Sequence, residues 1–220
     1  MRLRLVYFPV RAKAEAIRMA FAFGNVTYEN VSPQSYFGMK WMEGAKEQTP
    51  FRQLPLLVID DEKPIAQSGT IMRFVCSELV PELTPKESVQ AARCDSLWEA
   101  SQELATMPTN VNPIVNVFRG KEFEEKKQDY FKLAHAKLEN LEQKHCSSES
   151  FLLGDHPYYC DLGLYHVLDN THTLEPESLN GYPQLRSLMK RVESIESISN
   201  YLNNRPMCLD IGVNPRLSSE

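Results

Sequence analysis

The chain has no run approaching the ~20 consecutive apolar residues that span a bilayer, which excludes a helical membrane protein. Its opening stretch meets Arg11 and Lys13 before an apolar signal-peptide core could develop, so the expected compartment is the cytoplasm. Cysteine is sparse and odd in number. Cys76, Cys94, Cys146, Cys160 and Cys208 are widely spaced with no Cys-x-x-Cys pair, which argues against a disulfide framework or a zinc ribbon and makes buried thiols the default. His156 and Cys160 stand four apart, but Pro157 separates them and no second pair exists, so no metal is expected. Basic excess is missing too. With 24 Lys and Arg against 29 Asp and Glu, the net charge of −5 speaks against nucleic acid or an anionic membrane as partner.

What remains is an ordinary globular composition, 42% hydrophobic and 24% charged, in 220 residues. A chain of this size can bury roughly 70% of its unfolded surface, enough for two small domains without a staple. Residues 2–7 alternate charged and apolar side chains ahead of Pro9, which predicts a strand with Leu3, Leu5 and Tyr7 on one side. A helix follows over 12–23, with Ile17, Ala20 and Phe21 at helical spacing and Gly24 as its stop. A second strand over 27–31 completes a crossover unit, which implies parallel pairing. Residues 32–52 read as a long loop with short helical turns, a length that hints at binding.

Two apolar runs, 56–59 and 64–66, flank Asp60-Asp61-Glu62-Lys63 as an antiparallel hairpin. Ser68 then opens a helix to about Leu79, ended by Pro81. Strand, helix, strand, loop, hairpin and helix is the order of a thioredoxin-like domain, here 1–80. The prolines from Pro81 to Pro85 punctuate a linker, and 86–220 reads as all-helical with a tail over its last dozen residues. The fold class is therefore an α/β thioredoxin-like N-terminal domain followed by an all-α C-terminal domain.

Four motifs narrow this further. They are Tyr7-Phe8-Pro9-Val10-Arg11 with Ala14-Glu15-Ala16-Ile17-Arg18, Gln53-Leu54-Pro55 before the hairpin, Gln67-Ser68-Gly69-Thr70 at a helix start, and Phe151-Leu152-Leu153-Gly154-Asp155 with Asp161-Leu162. In order and spacing the chain resembles, over nearly its whole length, the cytosolic glutathione transferases of the tyrosine type, nearest the pi, mu and sigma-like classes. Each motif alone is weak, and jointly they are specific.

Glutathione chemistry needs a thiolate. A free thiol of pKa about 8.5 is only about 3% ionised at pH 7, and lowering it by ~2 units gives about three-quarters thiolate for ~2.7 kcal/mol. One aimed hydroxyl donor can supply most of that. The resemblance gives this role to Tyr7; taken alone, Tyr7 would be a half-buried strand aromatic. It also implies a cis Leu54-Pro55 turn that holds the cysteinyl part of glutathione, with Gln53 and Phe8 alongside. Ser68 and Gln67 are implied for the γ-glutamyl carboxylate, at unpaired helix amides, where a plain N-cap at Ser68 is the alternative.

Trp41 and Lys46 are implied for the glycine end; counting back from Gln53-Leu54-Pro55 selects Lys46, whose cation suits a carboxylate. Lys13 stands where related chains carry arginine, and Ala12 where glycine is frequent. Asp95, Glu99 and Glu103 recur every four residues, as a solvated acidic stripe or, for Glu103, as a residue reaching a partner subunit's glutathione amine. Phe51 is either core packing or an aromatic key into a partner subunit. Asp161 resembles a helix-capping aspartate, but Tyr158 replaces the reciprocal Ser or Thr, so that capping box is not expected to close. Phe8, Val10, Met107, Val111, Ile114 and Phe118 are the expected walls of an apolar electrophile pocket, although core packing explains them equally well.

The resemblance thus implies a homodimeric, cytoplasmic glutathione S-transferase of the detoxification type. It would join the glutathione thiolate to small hydrophobic electrophiles, with no cofactor beyond glutathione as co-substrate and no nucleic acid or membrane partner. Two other readings share the glutathione site: a non-catalytic carrier of glutathione or hydrophobic ligands, and a glutathione-dependent isomerase of the prostaglandin D synthase kind.

Overall fold

The alternation at the start of the chain produces β1 (Leu3–Val6), one of the two inner strands of a four-stranded sheet of order β2-β1-β3-β4. The computed structural model describes residues 1–105 and 120–205. After β1 come α1 (Glu15–Phe23), β2 (Glu29–Val31), α2 (Pro33–Phe37), β3 (Leu56–Ile59), β4 (Ile65–Ala66) and α3 (Ser68–Phe74). β1 pairs parallel with β2 through Leu5↔Asn30, as a crossover requires, and antiparallel with β3 through Leu5↔Leu57. β3 turns back on β4 as the expected hairpin.

Period-two alternation divides the sheet between two cores. Leu3, Leu5 and Leu57 face the buried sides of α1 and α3, while Val6, Leu56 and Val58 pack with Tyr36 and Phe37 of α2 on the other side. The loop over 32–52 thus contains a short helix and two 3-10 turns, Trp41–Glu43 and Ala45–Gln48. Ser32 caps α2 by accepting the Ser35 N–H at 3.1 Å.

The helix expected over 12–23 is divided. Ala12 sits at φ +34°, a left-handed conformation that breaks helical continuity, so Ala12–Ala14 forms a separate 3-10 turn and α1 begins at Glu15. The helix opened by Ser68 reaches Leu79 as expected but widens to a π-helical stretch over Val75–Leu79. The Thr84 hydroxyl satisfies the Cys76 carbonyl there at 2.9 Å.

The helical region comprises α4 (Ser88–Ala105), α5 (Gly120–Lys144), α6 (Tyr159–Leu174), α7 (Pro183–Glu193) and α8 (Glu196–Asn204). α6 is buried nearly throughout. Asp161 supplies its own half of the cap: Oδ2 accepts the Tyr158 N–H and Oδ1 the Leu152 N–H, both at 2.8 Å. The other half uses no tyrosine hydroxyl; the Asp161 N–H donates instead to the Tyr158 carbonyl at 2.9 Å. Among the described residues no helix is long and apolar enough to cross a membrane. The expected tail falls outside them.

Candidate active site

Just past the end of β1 the Tyr7 N–H donates to the Val31 carbonyl at 3.0 Å, which holds this residue beside the end of β2. Its phenol oxygen accepts the backbone N–H of Lys13 at 3.2 Å. That amide belongs to the turn leading into α1, where unpaired N–H groups carry partial positive charge. An oxygen engaged in this way keeps its own O–H as a donor, polarised by the bond it accepts.

Phe8 stacks edge-on against Trp41 with ring centroids 5.5 Å apart, so the strand end and the loop over 32–52 share one aromatic contact. Lys46 lies half-buried on the next turn. Glu43 pairs with Lys40 at 3.6 Å and Glu47 with Arg52 at 3.8 Å, and among the described residues Lys46 has no acidic partner.

Ahead of β3 the Leu54–Pro55 bond is cis. Gln53 accepts from the Gln67 side chain at 3.2 Å, which joins two motifs fourteen residues apart. Gln67 adopts φ +72°, and Ser68 begins α3 directly after it.

Other expected residues go elsewhere. The Lys13 ammonium turns toward α4, where it donates to Gln102 at 3.3 Å; burial lowers its pKa to about 8 despite the opposing pull of Glu99. Glu103 is exposed and ion-paired with Lys137 of α5, whose hydrogen bond holds its carboxyl below the usual range. Val10 is buried in the core cluster with the packing residues of α1, so core packing wins over a pocket wall there. Met107, Val111, Ile114 and Phe118 lie outside the described residues. Phe51 is 61% exposed, which rules out packing within its own core.

Three of the described thiols are held protonated by burial. Burial pushes Cys146 up to about 12 and raises Cys76 and Cys160 as well. Among the described residues no group of three His, Cys, Asp or Glu is arranged to hold a metal ion.

Two polar groupings escaped the sequence reading. Arg73 of α3 bridges Asp95 at 2.7 Å and also pairs with Glu99, which ties two members of the acidic stripe to the sheet domain. Glu15 and Arg18, three apart in an otherwise apolar helix, form a buried ion pair at 3.2 Å. The only sequence signal for that pair was two charges within the buried face of α1, and spacing alone does not say what they meet.

A thioredoxin-like sheet domain followed by helices, with a strand-end tyrosine, a cis-proline turn and a serine at a helix start, defines a glutathione-handling class of protein. The glutathione S-transferase N-terminal domain model matches residues 1–77 and the C-terminal domain model matches 110–205. The chain is 30% identical over 209 residues to glutathione S-transferase P of Caenorhabditis elegans, covering 93% of this chain and 94% of that protein. It is 28% identical to glutathione S-transferase Mu 2 of Mus musculus over 210 residues, 93% of this chain and 92% of the relative. In fold it is similar to the Pi-class glutathione S-transferase of Onchocerca volvulus, with TM-score 0.78 and 24% identity over 97% of this chain and 98% of that one. A rat hPGDS complexed with a quinoline aligns with TM-score 0.79 at 22% identity, over 94% of this chain and 98% of the other. The chain belongs to the glutathione S-transferase family, and its expected fold and transferase activity stand.

Proposed function

We propose that Tyr7 activates the glutathione thiol of this transferase by donating its hydroxyl proton in a hydrogen bond to the sulfur. The observation that carries the reading is the Lys13 amide bound to the Tyr7 oxygen, which fixes the phenol at the end of β1 and polarises its O–H for donation to a thiolate. The thiol proton leaves to solvent, and the thiolate attacks an electrophilic carbon and displaces its leaving group or adds across its double bond. Proximity and thiolate activation supply the rate.

Around that sulfur we assign the cysteinyl backbone to Leu54 and Pro55, the γ-glutamyl carboxylate to Ser68 with Gln67 and Gln53, and the glycine carboxylate to Trp41 and Lys46. The half-buried cation of Lys46, without an acidic partner among the described residues, supports the last assignment. Phe8 shields the sulfur side through its contact with Trp41. Lys13 and Glu103 are not assigned to glutathione in the same subunit, since each is engaged within the helical region.

The substrates we assign are small hydrophobic electrophiles, in a detoxifying role in a reducing cytoplasm that suits the free cysteines among the described residues. A domain division near Pro81 accompanies this reading. The Tyr7→Phe variant is expected to keep its glutathione affinity and to lose about 25-fold in conjugation rate at pH 7, the ratio of thiolate fractions for a pKa moved by ~2 units. A steady-state assay with a chloronitrobenzene electrophile measures it. Unchanged turnover would overturn the assignment, and glutathione binding with no turnover in the wild type would favour a carrier.

A further inference from the structure

A closed ring of charges connects the helical region to the loop that carries Tyr7. From α1, Arg18 is only 5% exposed and donates Nη1 to the Val10 carbonyl at 2.8 Å and Nε to Asn30 Oδ1 on β2 at 3.0 Å. It therefore pins the loop after β1 to both neighbours. Glu15, 2% exposed, orients that guanidinium through Oε2 at 3.2 Å. Its other oxygen accepts from Arg205, at the end of α8, at 3.0 Å. Arg205 reaches on to Asp169 of α6 at 3.1 Å, and the same Asp169 oxygen accepts from Arg11 of the loop at 3.2 Å.

The ring thus begins and ends on the segment between Tyr7 and Lys13, holding it once by a main-chain carbonyl and once by the Arg11 side chain. Three guanidinium groups surround two carboxylates, so removing one partner leaves another charge stranded. His166 of α6, Tyr201 of α8 and Tyr28 before β2 are the other titratable groups facing Glu15 and Arg18. The Lys13 amide that binds the Tyr7 oxygen lies at the end of the pinned segment.

We propose that Arg205 and Asp169 are positioning residues: through Glu15, Arg18 and Arg11 they hold the Lys13 amide on the Tyr7 hydroxyl, so that the helical domain sets the acidity of bound glutathione. This rests on Tyr7 as the thiol-activating group. If the ring slackens, the amide leaves the phenol oxygen and the O–H becomes a weaker and less directed donor, while the residues assigned to the glutathione backbone stay in place.

The test compares wild type, Tyr7→Phe, Arg205→Met and Arg205→Lys, with the pKa of enzyme-bound glutathione read from thiolate absorbance against pH and from kcat/KM against pH. Arg205→Met is expected to raise the bound-thiol pKa by about one unit, an approximately tenfold loss of kcat/KM below that pKa, with KM for glutathione within about twofold of wild type. Arg205→Lys, which keeps the charge but not the fork, should recover part of the shift. A wild-type thiol pKa in folded Arg205→Met, or a loss confined to KM, overturns the proposal.

Tyr7→Phe separates the two readings. If it raises the thiol pKa while Arg205→Met does not, Tyr7 keeps its role and the ring loses its own. If Tyr7→Phe leaves the pKa unmoved, the underlying assignment fails. Should Arg205→Met not fold, Asp169→Asn breaks the same ring at its α6 corner with a near-isosteric side chain and carries the same expectations.

Discussion

At the scale of single residues, the consequential positions are those whose surroundings contradict their type. Ala12 is held at φ +34° within the core, where a glycine would sit without steric cost. His166 is buried on α6 with its ring against Asn170, and burial lowers its pKa to about 4. It is therefore uncharged at neutral pH, and the attraction that holds the Glu15 carboxylate below its ordinary range against burial comes there from Arg18, Arg205 and Arg11.

The sign for stability follows from linkage. The unfolded chain binds a proton at His166 near pH 6.5 and the folded one does not until about 4, so stability is complete above 6.5 and is lost as pH falls through that window. The full loss is on the order of 3 kcal/mol. Urea unfolding of wild type and His166→Gln at pH 7 and pH 4.5 should show a smaller drop in the variant. Equal drops would mean that His166 does not carry this part of the acid sensitivity.

Among the elements, strands and hairpin were legible because a two-residue period in a half-buried strand is visible in a few residues. β1, β2, β3 and β4 all lie within the expected segments. Helix junctions were less so. The split before α1 depends on one backbone angle at Ala12, and the widening after α3 has no sequence signal that we can identify.

The contact of α4 with α6 shows what packing alone decides. A Cβ at Gly163 would stand 2.6 Å from the ring of buried Trp98 and 3.1 Å from the Ser101 hydroxyl. Neither neighbour is free to move in a close-packed interior. Gly163→Ala should therefore cost about 1–3 kcal/mol through overpacking, opposed only by the helix propensity alanine gains. For a chain of this size each kcal/mol lowers Tm by roughly 2–4 °C. A melting temperature at or above wild type would show that the helices separate without cost.

On the scale of the whole molecule, the exposed ring of Phe51 needs a destination. A groove of about 720 Å³ lies between α4 and α5, lined by Leu97, Ala100, Ala136, Leu141, Leu152 and Leu153 with Glu103 and Lys137. We propose a homodimer in which Phe51 of each subunit enters this groove of the other, an isologous contact with an aromatic anchor. Phe51→Ala should weaken self-association by about 2 kcal/mol or more, roughly thirtyfold in Kd. Sedimentation of variant and wild type across a dilution series measures it, and an unchanged dimer would remove Phe51 as the anchor.

By itself the sequence determined the order of elements along the chain, the hairpin, the helical second half and the motifs that contain Tyr7, Pro55 and Ser68, because local periodicity and turn chemistry are written in neighbouring residues. The motifs named the residues of the candidate site, and the structure adds that Gln53 meets Gln67 and Phe8 touches Trp41. Only the tertiary structure decided that Lys13 turns to Gln102, that Val10 belongs to the core and that Glu103 is bound by Lys137. It alone closed the ring from Arg11 to Arg205, whose members lie up to 194 positions apart. Charges that far apart in the chain become partners only when burial removes water as an alternative, and no local pattern records which distant carboxylate will be there.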